Sequence, residues 1–456
     1  MMKADDQHLM PLRLFNVKKW IKNSRIVFKK ADDWNFCIVS HTWGNVTAWR
    51  IRDTTIDVTA FSSLDLTIAS KCIYDMGYKW AWIDNICIDQ NSKSELQREI
   101  THMGEYYENA CICLIFTGGL YNIGNVINDD YSAPRWHHRI WTLQEVVLSK
   151  NKVYICKGKE PQSKFVHKKW NYKGQHYFVI RHRYFEDSVI DAAYDIQKHV
   201  NNNEPVPGNT IQNMLDMFNY VNTQDWNIPN VIRECGRREA TKEEDVIYGI
   251  LGLLKVTNIA IERDISKTEA LLKLIQSVPE ESRALFMICE WNNNAIPEFS
   301  HAAWGLDVDE CIANAYISDG SMYVKTQCID ILSIYTFTSN VVQAGSEGTP
   351  RSSLQEMKLT THNGEVVTSF GRVPNDVNDC TLVLIGSTSK SWAVQALKTE
   401  NVGICVVVTM NANVAYKVGL LIIGNDELKW AETKTAVAYK LNTLHTTLNS
   451  SVQATR

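Results

Sequence analysis

The sequence predicts an α/β fold with a parallel sheet in its amino-terminal third, then a mainly helical middle and a β-rich carboxy-terminal region. Three observations carry this. Short apolar runs alternate with helical periodicity four times between residues 36 and 156. The stretch from 157 to about 298 reads as helical once a basic and aromatic loop region has passed. Beyond Ala302 the texture changes to short apolar or alternating runs broken by Gly, Asn, Asp and Ser. Strand and helix in strict alternation are the mark of βαβ crossovers, which build a parallel sheet covered on both faces. The expected domains are 1–157, 158–298 and 299–456.

Taken in order, "FCIVS" (36–40) is a buried strand that runs into the polar, glycine-containing "HTWGN". Leu64, Ile68, Ile73 and Met76 follow a helical spacing that stops at Gly77, a C-terminal signal. "WAWID" (80–84) is the second strand. Ser92 and Glu95 form a capping box that opens a helix with Leu96, Ile100, Met103 and Tyr107 on one stripe. "CICLIF" (111–116) is the third strand, "RIWTLQEVVLSK" (139–150) a helix, and "KVYIC" (152–156) the fourth strand. Helical segments are expected near 210–222, 242–255 and 268–278. Strands are expected in "SMYVK", "CIDILSIY", "TLVLIG", "GICVVVTM" and "VGLLIIG", as a small barrel or sandwich.

The bulk numbers exclude several classes. A chain of 456 residues with 45% hydrophobic content folds into two or three domains with their own cores. A net charge of −4 provides no broad positive field, so no nucleic-acid partner is expected. The start, "MMKADDQHLMPLRLF", lacks the basic and apolar regions of a signal peptide, and no run approaches a membrane span, so the expected location is cytoplasmic. The 12 cysteines are scattered without a C-x-x-C, as reduced thiols are. Adjacent His137 and His138 would point about 100° apart on a helix, poor geometry for one metal, and no metal site is expected.

In an open parallel sheet the ligand crevice lies beyond the carboxyl ends of the strands. Here that means the loops "SHTWGN" and "DNICIDQN", which contain neither G-x-G-x-x-G nor a Walker loop. In "RIWTLQEVVLSK", Ile140, Leu143 and Val147 suffice for a packing stripe, and Trp141 and Glu145 lie on a neighbouring face. That face is either solvated surface or the wall of a site.

Three ordered blocks resemble the signature blocks of the heterokaryon incompatibility (HET) domain, a family found mostly in filamentous fungi. They are "VSHTWGN" (39–45), "WAWIDNICIDQNSKSELQREITHMGEYYENA" (80–110) and "RIWTLQEVVLSK". More weakly, "GRREATKEEDVIYGILGLL" (236–254), "AAWGLDVDE" (302–310) and "GSMYVKTQCIDIL" (320–332) resemble segments that follow the domain. The resemblance implies a role in self/non-self recognition that ends in programmed cell death. It also implies a TIR/flavodoxin-like sheet, because the domain is considered a distant relative of the TIR fold. Enzymatic TIR members cleave the nicotinamide–ribose bond of NAD with one glutamate in a W-x-x-x-E helix.

Carried over residue by residue, Glu145 is the catalytic carboxylate and Trp141 shapes its pocket. Ser40, Trp43, Gly44 and Asp84 line the crevice, Cys87, Asp89 and Gln90 assist from the next loop, and Arg139 clamps a phosphate. NAD would be the substrate, with no cofactor. The chemistry needs only one carboxylate, because a pyridinium leaving group requires no general acid. Each residue also has a structural alternative: a surface glutamate, aspartates accepting loop amides, an arginine paired with an acid, and a core cysteine beside a loop histidine at Cys87 and His41. Against the enzyme stand a non-enzymatic module that oligomerises and recruits death components, and a sensor whose β region recognises an allelic or non-allelic incompatibility protein. The loop "NICIDQN" departs from enzymatic TIR proteins.

Overall fold

A computed structural model describes residues 10–43, 49–50, 57–58, 63–117, 135–157, 166–172, 174–183, 227–236 and 238–288. In the carboxy-terminal part it describes 310–311, 313–318, 321–344, 352–361, 366–372, 377–388, 402–411, 414–424 and 432–440. The chain forms two compact units: Met1–Trp226 with Arg238–Lys267, and Asn227–Arg237 with Thr268–Arg456. The expected helix near 210–222 and the site residue Gly44 lie outside the described residues.

The first unit opens with β1 (Leu14–Asn16), α1 (Val17–Asn23), β2 (Phe28–Lys29) and β3 (Cys37–His41), followed by the small ladder β4 (Trp49–Arg50) and β5 (Asp57–Val58). Next come α2 (Ser63–Asp75), β6 (Trp80–Trp82), the short α3 (Asp84–Cys87), α4 (Lys93–Asn109) and β7 (Ile112–Phe116). A 3-10 turn (Arg135–His138), α5 (Trp141–Leu148), β8 (Lys152–Lys157), β9 (Lys168–Tyr172) and β10 (Gln175–Arg181) complete its sheet region. The eight strands stand in the order β2-β1-β6-β3-β7-β8-β10-β9. The middle four, β6-β3-β7-β8, are parallel and are the four strands read from sequence. They stand in the order second, first, third, fourth. Right-handed crossovers in that order put the helix after β3 on one face and those after β6 and β7 on the other. The helices found in contact, α1 with α2 and α4 with α5, fit that arrangement.

Local signals explain the elements. α2 ends in a Schellman motif, with Gly77 at φ +94°, its N–H donating to Tyr74 and that of Tyr78 to Ile73. At α4, Ser92 accepts from the Glu95 amide at 3.3 Å. Glu95, however, does not complete the capping box at Ser92. One oxygen takes the Asp89 amide at 2.6 Å and the other pairs with Arg13. The same helix buries Glu99 against Tyr106 and Arg98, and burial lifts its carboxyl to about 7 despite the arginine.

Two expectations are corrected. The basic, aromatic stretch expected as loop forms the antiparallel strands β9 and β10, which extend the sheet beyond β8. Lys168, Lys169 and Asn171 of β9 are exposed, as on an edge strand that lysines protect from further pairing. The helix expected over 242–255 is one short turn, α6 (Asp245–Tyr248), continued by mixed hydrogen-bonded turns through Val256. Its glycines serve close approach. A Cβ added to Gly104 of α4 would stand 2.5 Å from the Gly252 backbone, and one on Gly249 would meet Ile140 at 3.0 Å.

In the second unit, Ile228–Gly236, Lys267–Ser277 and Glu280–Arg283 are helical. Its strands include β11 (Glu310–Cys311), β12 (Asn314–Ser318), β13 (Ser321–Ala344), β14 (Ser352–Thr361), β15 (Val366–Arg372), β16 (Val377–Thr388), β17 (Val402–Asn411) and β18 (Val414–Gly424). The antiparallel pairings run β13-β14-β15-β18-β17-β16 and return to β13. The sheet therefore closes on itself as a barrel, with Leu382, Leu384, Val402, Ile404 and Ile422 buried. Closure removes the open edges that six adjoining strands would otherwise expose.

The glycine contact yields a contrast between two substitutions. Gly104→Ala should destabilise by about 2–3 kcal/mol, because its obstacle is backbone that cannot swing away. Gly77→Ala meets open space and pays only for its left-handed φ, about 1 kcal/mol. Urea unfolding midpoints of the two variants check the order. Equal losses would mean that the α4 crossing does not depend on glycine.

Candidate functional site

The carboxyl ends of β3 and β7 lie side by side, with Ser40 opposite Ile115 and His41 opposite Phe116. This is the switch point of the parallel order, where chain connections leave in opposite directions and open a crevice. Ser40 and His41 come from β3, Asp84 from the turn after β6, Tyr107 from α4, and Trp136 and Glu145 from the segment after β7.

Glu145 is buried, with 5% of its surface exposed. The Ser40 hydroxyl donates to Glu145 Oε2. Trp136 Nε1 donates to Ser40 Oγ at 2.8 Å. An indole N–H only donates, so the serine oxygen must accept there, which leaves its hydrogen for the carboxylate. The Tyr107 hydroxyl lies between the Val39 carbonyl, at 3.1 Å, and Glu145. Burial pushes the Glu145 carboxyl up to about 8. The Ser40 bond opposes the rise, the negative Asp84 adds to it, and Arg139 and Tyr107 oppose it. The sheet thus holds a carboxyl that is mostly protonated at neutral pH and ionises just above it.

The second cluster is at the mouth. Asp84, 23% exposed, accepts from Trp43 Nε1 at 2.7 Å and from the Asn85 amide at 2.7 Å, and its Oδ1 lies 3.0 Å from His41 Nε2. Burial raises its carboxyl, but His41, Trp43 and the Asn85 amide outweigh that, and the net shift is downward. Asp84 therefore stays ionised where Glu145 does not. Trp43 is 37% exposed, a flat ring pinned at its nitrogen.

The remaining sequence-named residues are spread around this pair of clusters. Cys87 is buried, its thiol directed at the Ala81 carbonyl at 3.9 Å and pushed up to about 12 by burial, so it is no nucleophile. His41 faces Asp84, not Cys87. Asp89 accepts the Asn91 amide at 3.0 Å, a loop-stabilising bond, and Gln90 is half-buried beside it. Arg139 donates to Thr241 Oγ1 at 2.8 Å. Trp141 is half-buried at the start of α5. Ser40, Trp43, Asp84 and Glu145 are brought together; Cys87, Asp89 and Gln90 lie along the α3–α4 connection. The sequence puts Tyr107 on the packing stripe of α4, and no local signal marks its hydroxyl or the Trp136 indole as partners of Glu145 and Ser40. Among the described residues, no group of three or more His, Cys, Asp or Glu could hold a metal, and no helix is long and apolar enough to cross a membrane.

An α/β unit with a buried carboxyl at the switch point of its sheet belongs to the broad class of crevice-bearing parallel-sheet domains. Comparison with known proteins narrows the class. Residues 36–128 match the family model described as Heterokaryon incompatibility protein (HET), the family that the three sequence blocks resemble. The chain is similar to the Vegetative incompatibility protein HET-E-1 of Podospora anserina, 20% identical over 259 residues. That match covers 55% of this chain and 16% of the relative. No solved structure matches.

The raised Glu145 carboxyl has a consequence for stability. An acid whose folded pKa lies above its unfolded value supports the fold fully below about 4.5, and that support is lost as pH rises towards about 8. At 1.4 kcal/mol per unit the loss is on the order of 3–5 kcal/mol. Glu145→Gln should therefore stabilise the protein at pH 8–9 and not at pH 4, read as unfolding free energy against pH. A variant less stable than wild type at pH 9 would contradict the burial of an unwilling charge.

Proposed function

We propose that this chain acts in heterokaryon incompatibility as a cell-death effector whose first unit, TIR-like in its strand order, hydrolyses NAD at the nicotinamide–ribose bond. The observation that carries this reading is Glu145: one buried carboxyl, held by Ser40, at the crevice of a parallel sheet. A fold that carries a destabilising carboxyl gains from it elsewhere, as enzyme sites do. The vegetative-incompatibility relative and the HET match supply the biological role.

In the reaction the bond between ribose C1′ and the pyridinium nitrogen breaks, and its electron pair leaves with nicotinamide, which becomes neutral. Water adds to the ribosyl oxocarbenium ion and a proton is lost to solvent. Glu145, ionised, stabilises the developing positive charge and engages the ribose hydroxyls. The substrate assists: a cationic pyridinium beside Glu145 favours the charged carboxylate and offsets its burial. Trp43 offers its face to a planar ring of the substrate, and Asp84 holds that indole in place. Partners in this reading are an allelic or non-allelic incompatibility protein and further copies of the chain.

A second reading follows from the same burial. A carboxyl only 5% exposed also suits a structural anchor, and the unit would then work as an interaction module that recruits other components.

Nicotinamide release from NAD by the concentrated protein distinguishes the two. The free-enzyme parameter kcat/KM should rise with pH through about 8, while kcat should level off at lower pH because bound substrate favours ionisation. Glu145→Gln should lose at least about a hundredfold in kcat. If wild type and Glu145→Gln release equally little nicotinamide, even when oligomerised, while wild type still kills on expression, catalysis is excluded. Killing that persists in Glu145→Gln would favour the module.

A further inference from the structure

We propose that the segment Arg238–Thr241 is a positioning device for Glu145, bolting the neck of its helix to the rest of the first unit. This segment follows residues 227–237, which belong to the second unit, and lies beyond the residues matched by the HET family model. Arg238 is buried, and its Nη1 donates to the carbonyls of His137, at 2.9 Å, and Arg139, at 3.3 Å. The Glu239 amide donates to the His138 carbonyl at 2.5 Å, and the Ile140 amide returns to the Glu239 carbonyl at 3.1 Å. Thr241 Oγ1 accepts from Arg139 at 2.8 Å.

These contacts fall where α5 most needs them. The N-cap residue before it, Ile140, offers no side-chain cap, and the Ile140 amide is served by the Glu239 carbonyl. Thr142 ties the same neck internally, its one hydroxyl hydrogen shared between the carbonyls of Trp136 and Arg139, at 2.6 and 2.8 Å. The immobilised stretch carries Trp136, whose indole sets Ser40, which in turn sets Glu145. Arg238 and Glu239 thus act on the carboxyl through a chain of bonds and touch neither it nor a substrate. Thr241 acts differently: it holds the Arg139 guanidinium, a positive group that favours the Glu145 anion. The other groups facing Glu145 are Ser40 of β3, Asp84 of α3, Tyr107 of α4 and Cys113 of β7.

The two contacts predict opposite shifts. Loosening the neck admits water to Glu145 and makes it easier to ionise, whereas releasing Arg139 makes it harder. The readout is the pH midpoint of the stability difference between each variant and the same variant carrying Glu145→Gln, measured on the full chain without substrate. That difference removes the separate step of Glu99. Arg238→Ala should lower the midpoint by about one pH unit, Arg238→Lys by less, and Thr241→Val should raise it. If Arg238→Ala does not fold, the opposite signs of Arg238→Lys and Thr241→Val decide. Uniform loss of stability at every pH with unmoved midpoints would overturn the proposal and leave these residues merely structural. Only the kinetic arm rests on the NAD reading: the kcat/KM profile should move with the midpoint. Absence of nicotinamide release in wild type would sink that reading and leave the midpoint test intact.

Discussion

The hydrogen bond from Ser40 to Glu145 is the interaction on which the site depends. It joins the carboxyl end of β3 to the helix that follows β7, the two edges of the switch point. A buried carboxyl beside aromatic rings costs several kcal/mol when ionised unless donors are already in place. Ser40 is such a donor, and the Trp136 indole, donating to its oxygen, orients the hydroxyl towards the carboxyl. The position of α5 must therefore match that of β3 to within hydrogen-bond tolerance, and the packing of α4 on α5 serves that match. Tyr107, on the buried stripe of α4, brings a hydroxyl to the same carboxyl while its ring packs against Trp82.

Asp84 and Glu145 show how one crevice keeps two carboxyls in different states. Asp84 sits at the mouth among donors and near a histidine, and these outweigh its burial. At Glu145 burial outweighs Ser40, Arg139 and Tyr107, and the carboxyl feels Asp84 as a like charge, so its proton is held more tightly. Divergent environments of this kind separate an electrostatic or positioning group from one that changes charge during a working cycle. The ionised Asp84 fixes the Trp43 ring, whose exposure gives the crevice an aromatic entrance.

Much of the sheet could be read from the sequence because strands buried on both faces appear as unbroken apolar runs. "FCIVS" and "CICLIF" needed only length and flanking loops to be assigned. β9 was not legible, since an edge strand carrying Lys168, Lys169 and Asn171 has the composition of a solvated loop. β1, three residues long, falls below any periodicity. Of the site, "WTLQE" identified Glu145 through family resemblance, and the loops around Ser40 and Asp84 followed from the strand-end rule. Trp136 escaped because its indole counts as core by hydropathy, and only its bond to Ser40 reveals its polar role. Arg238 escaped for a different reason: nothing local relates it to a backbone about a hundred residues earlier.

That long-range contact bears on what constitutes the working unit. Residues 36–128 contain Ser40, His41, Trp43, Asp84 and Tyr107, whereas Trp136 and the carboxyl-bearing Glu145 lie outside the family match. These two rest on a neck whose carbonyls are held by Arg238 and whose helix start is served by Glu239. Gly252 adds a backbone amide at 3.2 Å from Gln144 Oε1, one residue before Glu145, and packs directly on Gly104. Side-chain contacts could have substituted for such backbone proximity only with more space than two glycines leave. Residues 238–267 thus belong to the first unit for a physical reason. They hold the neck before α5 and the Gln144 side chain that precedes Glu145.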